Sequence, residues 1–308
     1  MAEHPVTEVA QGLQFPEGPV WTTDGSVLCV ELQRRTVDRV LGDGTVEIVA
    51  TPGGSPNGLA IGPDGAAYVC NSGGWAFHEL MGFTITEMEQ PADYSGGRIE
   101  RVDLDSGEVS VLYTECDGHS LKGPNDIVFD AAGGLWFTDH GKVRARERDH
   151  GGVYYATPDG TSISEVIYPL ESPNGIGLSP DGGTLYVAET FTGRVYSWPV
   201  TGPGRVDRPS PVGHGGLVLV GLAGFQLFDS LAVDGDGNVV VATLVTGGLT
   251  VVSPAGEVLD QVALGDPFVT NVCFGGPDLT TAYVTASGSG RLRSLPCPRP
   301  GLALAVGR

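Results

Sequence analysis

Six segments of the chain share one pattern, and each stands in the same phase relative to a hairpin turn after it. They are PEGPVW (16–21), PNGLAI (56–61), PNDIVF (124–129), PNGIGL (173–178), FDSLAV (228–233) and VTNVCF (269–274). Each leads through a turn into a second, more apolar run: TDGSVLCVEL, PDGAAYVCNS, AAGGLWFTDH, PDGGTLYVAET, GDGNVVVAT and PDLTTAYVTAS. Asp-Gly between two strand-like runs is a hairpin signal, because glycine supplies the positive φ that a tight turn needs. Third and fourth strands come next in most units, as in GGRIERVDL then GEVSVLY, or GGVYYAT then ISEVIY. The second residues of the segments fall at 17, 57, 125, 174, 229 and 270, giving intervals of 40, 68, 49, 55 and 41. A unit of about 40 residues with four strands has the period of a propeller blade. The sequence therefore predicts an all-β fold: one six-bladed β-propeller domain over residues 1–308, with four-stranded blades. The opening VTEVA belongs to no unit and is expected to form the outer strand of the last blade, closing the ring. A β-sandwich would not explain the in-phase hairpins.

Composition agrees. Gly 48 and Pro 22, with 41% apolar and only 18% charged residues, suit short strands and tight turns and exclude a disordered chain. The net charge of −20 repels phosphate backbones, which excludes nucleic acid as a partner and favours neutral molecules or cations. No basic start precedes an apolar run, and no stretch approaches the roughly 18 apolar residues of a membrane span. Neither a signal peptide nor membrane association is expected. The cysteines, Cys29, Cys70, Cys116, Cys273 and Cys297, are odd in number and match no framework spacing. Cys29, Cys70 and Cys273 lie in apolar runs and are expected to be buried small hydrophobes. A reducing cytoplasm is the expected compartment.

In a propeller the first strand of each blade lines the central channel. The residues that open those strands, Glu17, Asn57, Asn125, Asn174, Asp229 and Thr270, therefore converge at one end of it. Two carboxylates and three carboxamides, with no thiol or imidazole, suit a hard cation; Ca²⁺ tolerates irregular geometry best. The competing reading makes them turn residues that bond their own backbone, and it fits Asn57 best.

Strand order puts the loops after the second strands on the same face. The longest is 71–97, after the second strand of blade 2, and it carries Trp75, Phe77, Met81, Phe83 and Tyr94. Long loops with such content are functional more often than disordered. It reads as a lid or pocket wall, with a hydrophobic cover or a subunit contact as the alternatives. The loop 140–152 holds Lys142, Arg144, Arg146 and Arg148 interleaved with Glu147 and Asp149. It reads as a solvated, salt-bridged loop, or else as a docking patch. His140 comes directly after Asp139 on this face and either serves the substrate, by a hydrogen bond or proton relay, or is structural. No G-x-S-x-G, P-loop or paired-cysteine zinc motif appears, which disfavours serine-based hydrolysis.

FPEGPVW, GPNDIVFD…GGLWFTD, SPNGIGLSPDGGTLYVAET and DSLAVDGDGNVVVA together resemble the family of gluconolactonase, regucalcin and luciferin-regenerating enzyme, over residues of about 6 to 296. The resemblance implies a six-bladed propeller with one divalent metal at the channel mouth. Family ligands fall on Glu17, Asn174 and Asp229. Asn125 matches a position that touches metal in some relatives and substrate or a bridging water in others. Asp229 matches the residue assigned as base or nucleophile. Two positions depart from the family pattern. Gly123 stands where the sugar-lactonase branch has an Arg, and Ala232 where the phosphatase branch has an Asp for a second calcium.

The expectation is a divalent-metal-dependent hydrolase, a lactonase opening a cyclic ester, with a small-molecule substrate. Asp229 is the catalytic residue, and Glu17, Asn125, Asn174 and Asp229 hold one ion, Ca²⁺ ahead of Mg²⁺, Mn²⁺ or Zn²⁺. Asn125, Trp75, Phe77 and His140 contact substrate. A metal-assisted phosphotriesterase, a lyase or isomerase on the same metal, and a non-catalytic calcium-binding propeller are the alternatives.

Overall fold

Strand pairing runs hairpin to hairpin, blade by blade, in the computed structural model, which describes residues 5–211 and 213–304. Blade 1 is Pro16–Trp21, Val27–Glu31, Thr36–Val40 and Val46–Ala50. Blade 2 is Pro56–Ile61, Ala67–Asn71, Arg98–Val102 and Val109–Tyr113. Blade 3 is Pro124–Phe129, Leu135–Asp139, Gly151–Ala156 and Ile163–Leu170. In blade 4, Pro173–Leu178, Thr184–Glu189, Arg194–Gly202 and Leu217–Gly221 pair in that order, and Arg205–Val206 adds a short fifth strand. Blade 5 is Leu227–Val233, Val239–Leu244, Gly248–Val252 and Val258–Ala263. Blade 6 takes Val269–Gly275, Thr281–Ala286 and Arg291–Pro296 from the end of the chain and Thr7–Gln11 from its start. The last pair runs antiparallel from Thr7↔Ser294 to Gln11↔Arg291, so the ring is closed by the opening strand as expected.

Short polar side chains set the two rims. On the hairpin face, one aspartate per turn accepts backbone N–H groups two to four residues on: Asp24 from Ser26 (2.9 Å), Asp130 from Ala132 (2.9 Å) and Gly134 (3.1 Å), Asp181 from Gly183 (2.9 Å), Asp234 from Asn238 (2.8 Å). This is the Asx-turn chemistry that makes aspartate a turn residue. On the opposite face, buried acids and amides that end the second strands stitch down the segments entering the first strands. Asn71 Oδ1 accepts from Ser55 N (3.0 Å), Asp139 from Lys122 N and Gly123 N (both 2.7 Å), and Glu189 Oε1 from Glu171 N (2.7 Å). The raised pKa values of the two acids come from burial, and their work is structural.

The core lies between blades. Val30, Val69, Phe137, Val187, Val241 and Val284, one from each second strand, are all fully buried. Each such side chain stabilises the fold by about 1.5–3 kcal/mol. Cys29 and Cys70 are buried as expected, but Cys273 is only half-buried, because it lines the open lumen of the channel instead of an inter-blade layer. That lumen is apolar, walled by Leu59, Ile127, Phe129, Leu178, Val233 and Phe274 among others. It encloses about 260 Å³ and opens on the hairpin face beside Leu302, Ala303 and Leu304. Among the described residues no helix is long and apolar enough to cross a membrane.

Candidate active site

Each first strand breaks its ladder at the same place. The register shifts between Glu17 and Val20, Pro56 and Leu59, Pro124 and Ile127, Pro173 and Ile176, Phe228 and Leu231, and Val269 and Asn271. A bulge re-aims the residues inside it and frees them from pairing. Repeated around the ring, it turns one polar layer toward the channel mouth. Packing there is tight. A Cβ on Gly18 would meet Asn57 O at 2.6 Å, and one on Gly58 would meet Asn125 O at 2.4 Å, so adjacent blades meet backbone to backbone at these positions.

The four expected ligands sit in this layer. Glu17 is buried, and its Oε2 accepts from Gly18 N (3.0 Å) and from Asn271 Nδ2 (2.9 Å). Burial pushes its carboxyl up to about 7 despite those bonds. Asp229 is half-buried at the mouth. Its carboxyl is pushed well up by desolvation and by the Glu17 and Asp126 charges, while the Asn174 side chain and Ser230 N–H favour its ionised form. Asn174 donates through Nδ2 to Thr190 Oγ1 (3.1 Å), and its Oδ1 accepts from Ser230 Oγ (3.3 Å). Asn125 is buried, and its Oδ1 has no hydrogen-bond partner. Asn57 is buried nearby, and Thr270 joins a hydroxyl cluster with Thr285 (2.9 Å) and Ser287.

Two members of the site escaped the sequence reading. Asp126, buried one residue after Asn125, accepts from Ile127 N (2.9 Å) and Ile176 N (3.3 Å) and is pushed up to about 7, first by burial. Asn271 orients Glu17 through its Nδ2. Both occupy the position where blades 1, 2 and 4 carry Gly18, Gly58 and Gly175, and a polar residue in a glycine's place was the signal available.

This donor set fits a hard divalent cation. It consists of oxygens, one of them buried and orphaned, and it crowds carboxylates that lack a compensating charge. Among the described residues no cluster of three His, Cys, Asp or Glu side chains is placed to hold a metal, so any ion here depends on the carboxamides.

The 71–97 segment folds over the same face. Ala76–Leu80 and Phe83–Glu87 form a hairpin, and the second of these strands packs on the turn Ser287–Ser289 of blade 6. Phe77 meets Phe15 at 5.4 Å in a tilted pair, and Phe15 in turn meets Phe268 at 6.3 Å. The other flank is tied to blade 3 by Gln90 N to Val143 O (2.8 Å) and Tyr94 Oη to Lys122 O (2.7 Å). Trp75 meets the buried His140 ring edge-on at 6.0 Å, and His140 meets Phe191 at 5.8 Å. The structure thus joins Trp75 with His140 and brings Phe77 to Phe15 near Phe268, while both side chains pack against the same buried cluster of blades 1 and 2. It adds Phe191, which lies just beyond the second strand of blade 4 as His140 lies just beyond that of blade 3. Burial, then the Lys142 charge, lowers the His140 imidazole to about 4, so it is neutral at pH 7.

The basic loop is only partly the solvated one expected. Arg144 pairs with Asp149 (2.6 Å) and Arg148 with Glu171, but Lys142 is buried, because the inserted segment covers it.

Comparison with known proteins places the whole architecture. The family description "SMP-30/Gluconolactonase/LRE-like region" matches residues 15–288. A gluconolactonase of Zymomonas mobilis subsp. mobilis is 28% identical over 310 residues, covering 92% of this chain and 79% of that protein. Lactonase drp35 of Staphylococcus saprophyticus is 29% identical, over 82% of this chain and 71% of its own length. Among solved structures, regucalcin from Agrobacterium tumefaciens, described as a calcium-binding protein, superposes with a TM-score of 0.76 at 18% identity, covering 99% of this chain and 98% of that one. At that identity the likeness carries the fold.

Proposed function

The chain belongs to the SMP-30/gluconolactonase/LRE-like family, and on that premise we propose that it is a divalent-metal-dependent lactonase whose ion is held by Glu17, Asn125, Asn174 and Asp229. The observation that carries the reading is the buried, unpartnered Oδ1 of Asn125 in a ring with two carboxylates. An unpaired buried acceptor costs about 1–3 kcal/mol, and a cation supplies what it lacks. Relatives named gluconolactonase and lactonase support the reaction class. Ca²⁺ suits the irregular oxygen set best, ahead of Mg²⁺, Mn²⁺ and Zn²⁺. The bound ion would act as a Lewis acid toward the ester carbonyl.

The chain's own residues do the rest. Asp229 is the one ring carboxylate that keeps part of its surface open at the mouth, so it acts on the substrate, as general base toward water or as nucleophile. Glu17 is fixed by Gly18 and Asn271 and cannot swing into that role. Asn125 contacts ion or substrate through its free oxygen. His140, neutral and enclosed by aromatic rings, can donate one hydrogen bond without adding charge. Trp75 and Phe77 supply apolar surface from the inserted segment. Gly123 offers no side chain to grip sugar hydroxyls, which favours less polar lactones.

A panel of sugar and aliphatic lactones, assayed on chelator-treated protein with Ca²⁺, Mg²⁺, Mn²⁺ or Zn²⁺ restored in turn, tests the reading. Turnover should vanish with the chelator, return with an ion, and show higher kcat/KM for aliphatic lactones than for gluconolactone. Metal-independent turnover, or none on any lactone, would overturn it.

A further inference from the structure

Lys142 is a lysine of a loop rich in surface bases, yet it is buried, and nothing in the proposed reaction employs it. Its Nζ donates to Gly74 O at 2.8 Å. The same ammonium stands 4.4 Å from the centre of the Trp75 ring and 5.5 Å from that of Tyr94. All three partners belong to the inserted segment 71–97, whereas Lys142 belongs to blade 3. One cation therefore ties the root of the insertion to the loop that carries His140.

Trp75 is clamped from several sides. Its backbone N–H donates to Ser55 Oγ (3.1 Å), and His140 meets the edge of its ring at 6.0 Å. Lys142 holds the face. The indole N–H is buried and has no partner, so hydrogen bonding does not fix the ring's angle. An ammonium over an indole face is the strongest of the cation–π pairings, and it strengthens when desolvated. Burial pulls the Lys142 ammonium down to about 7 against the opposing Asp139 and Asp149 charges, so the contact is to be read at about pH 6, where the lysine is protonated. Both carboxylates already accept backbone N–H groups, and Asp149 pairs with Arg144 as well. Neither makes a direct ion pair with Lys142. Backbone carbonyl and rings are what hold this charge in place.

We propose that Lys142 is a positioning residue: it fixes Trp75, and with it the inserted segment, as the apolar substrate wall of the site. This deepens the lactonase reading and rests on it for the substrate, but not for the contact. A wall set before substrate arrives binds more tightly than one ordered at binding, because the ordering cost is already met. Lys142 touches no reacting atom, so its removal acts on binding and leaves the chemical step alone.

The test compares Lys142→Met, which keeps the apolar stem and removes the charge, with Lys142→Arg, which restores a cation able to stack on the ring. Deuterium uptake of 72–97 and acrylamide quenching of indole fluorescence, taken against a Trp75→Phe reference, read the contact without any turnover. A loosened segment opens locally more often, and its exchange rises with that opening. In Lys142→Met, exchange and quenching should rise, KM for aliphatic lactones should rise about tenfold with kcat within about twofold, and Ca²⁺ affinity should stay unchanged. Lys142→Arg should recover most of this. Should Lys142→Met fail to fold, Lys142→Gln, which keeps a donor to Gly74 O and loses the charge, carries the same measurements. Unchanged exchange and quenching in a folded uncharged variant overturn the proposal. Raised exchange with an unchanged KM on every lactone keeps Lys142 as the clamp and removes the substrate wall instead. A chain that hydrolyses no lactone leaves the exchange and quenching results to decide the clamp alone.

Discussion

The two ends of the central channel are built from the same six strands and differ in almost everything else. At one end Glu17, at the edge of its bulge, and the bulged Asn125, Asp126, Asn174 and Asp229 crowd like charges and leave an orphaned acceptor. Two to four residues beyond the polar layer, along the first strands, Leu59, Phe129, Leu178 and Val233 enclose an apolar lumen. The strand interior keeps its ladder and packs, so it can only stabilise. The bulge breaks the ladder, and its side chains are held by neighbours in ways that cost free energy. Packing dominates one end and the proposed chemistry lies at the other, and Asp126 and Asn271 of the polar layer line the lumen where the two meet.

That division can be broken from either side. The largest effect is expected at the mouth. Asp229→Asn keeps shape and an oxygen but loses basicity and charge, so turnover should fall by at least about 10²-fold. It also removes one of three mutually repelling carboxylates, so without divalent metal the variant should melt no lower than wild type. Near-normal turnover at saturating Ca²⁺ would remove Asp229 from the chemistry. At the other end, Phe129→Ala should behave in the opposite way. Phe129 is buried on the lumen and meets Tyr68 edge-on at 5.1 Å. Its truncation should cost about 3–5 kcal/mol in denaturant unfolding, while kcat/KM of the folded fraction stays within about twofold. A matching loss of turnover would mean that the two ends are coupled through the strands.

Much of this contrast was legible in the sequence. The Pro-Asn and Pro-Glu openings, in phase with Asp-Gly turns, gave the blades, their closure and the ring of candidate ligands. Such signals are local: a turn residue or a strand run owes its behaviour to neighbours in the chain. The features that stayed hidden depended on neighbours across the fold. Lys142 read as one more solvated base, since its burial is set by Gly74, Trp75 and Tyr94, some 48 to 68 residues away. Phe191 carries no signal of its own in the sequence, and only the fold places His140 beside it. Phe77 carried the same signal as Trp75, yet the hairpin sends it to Phe15. Asp126 and Asn271 were visible as departures from glycine, but only to a reading that compares blades position by position.

The smallest expected effect concerns the rim, where function and packing meet in one residue. His140 is enclosed between Trp75 and Phe191 and kept neutral, first by burial and then by the Lys142 charge, with Arg148 adding to it and the Gly141 backbone opposing. Its folded pKa of about 4 lies below the ordinary 6.5. Between those values the unfolded chain binds a proton that the folded chain does not, so stability falls as pH falls through that window and is constant above it. Complete loss corresponds to about 3 kcal/mol, and a shift from pH 7.5 to pH 5 should release about 2 kcal/mol of it. His140→Gln has no proton to take up, so its unfolding free energy should vary less with pH than that of the wild type by this amount. Both proteins would be unfolded in urea at pH 7.5 and pH 5 with saturating Ca²⁺, which holds the ring carboxylates in one charge state. Equal pH dependence in the two would mean that the imidazole is already reached by water at the rim. The enclosure of Trp75, His140 and Phe191 would then be open, and the rim would belong with the solvated face of the mouth.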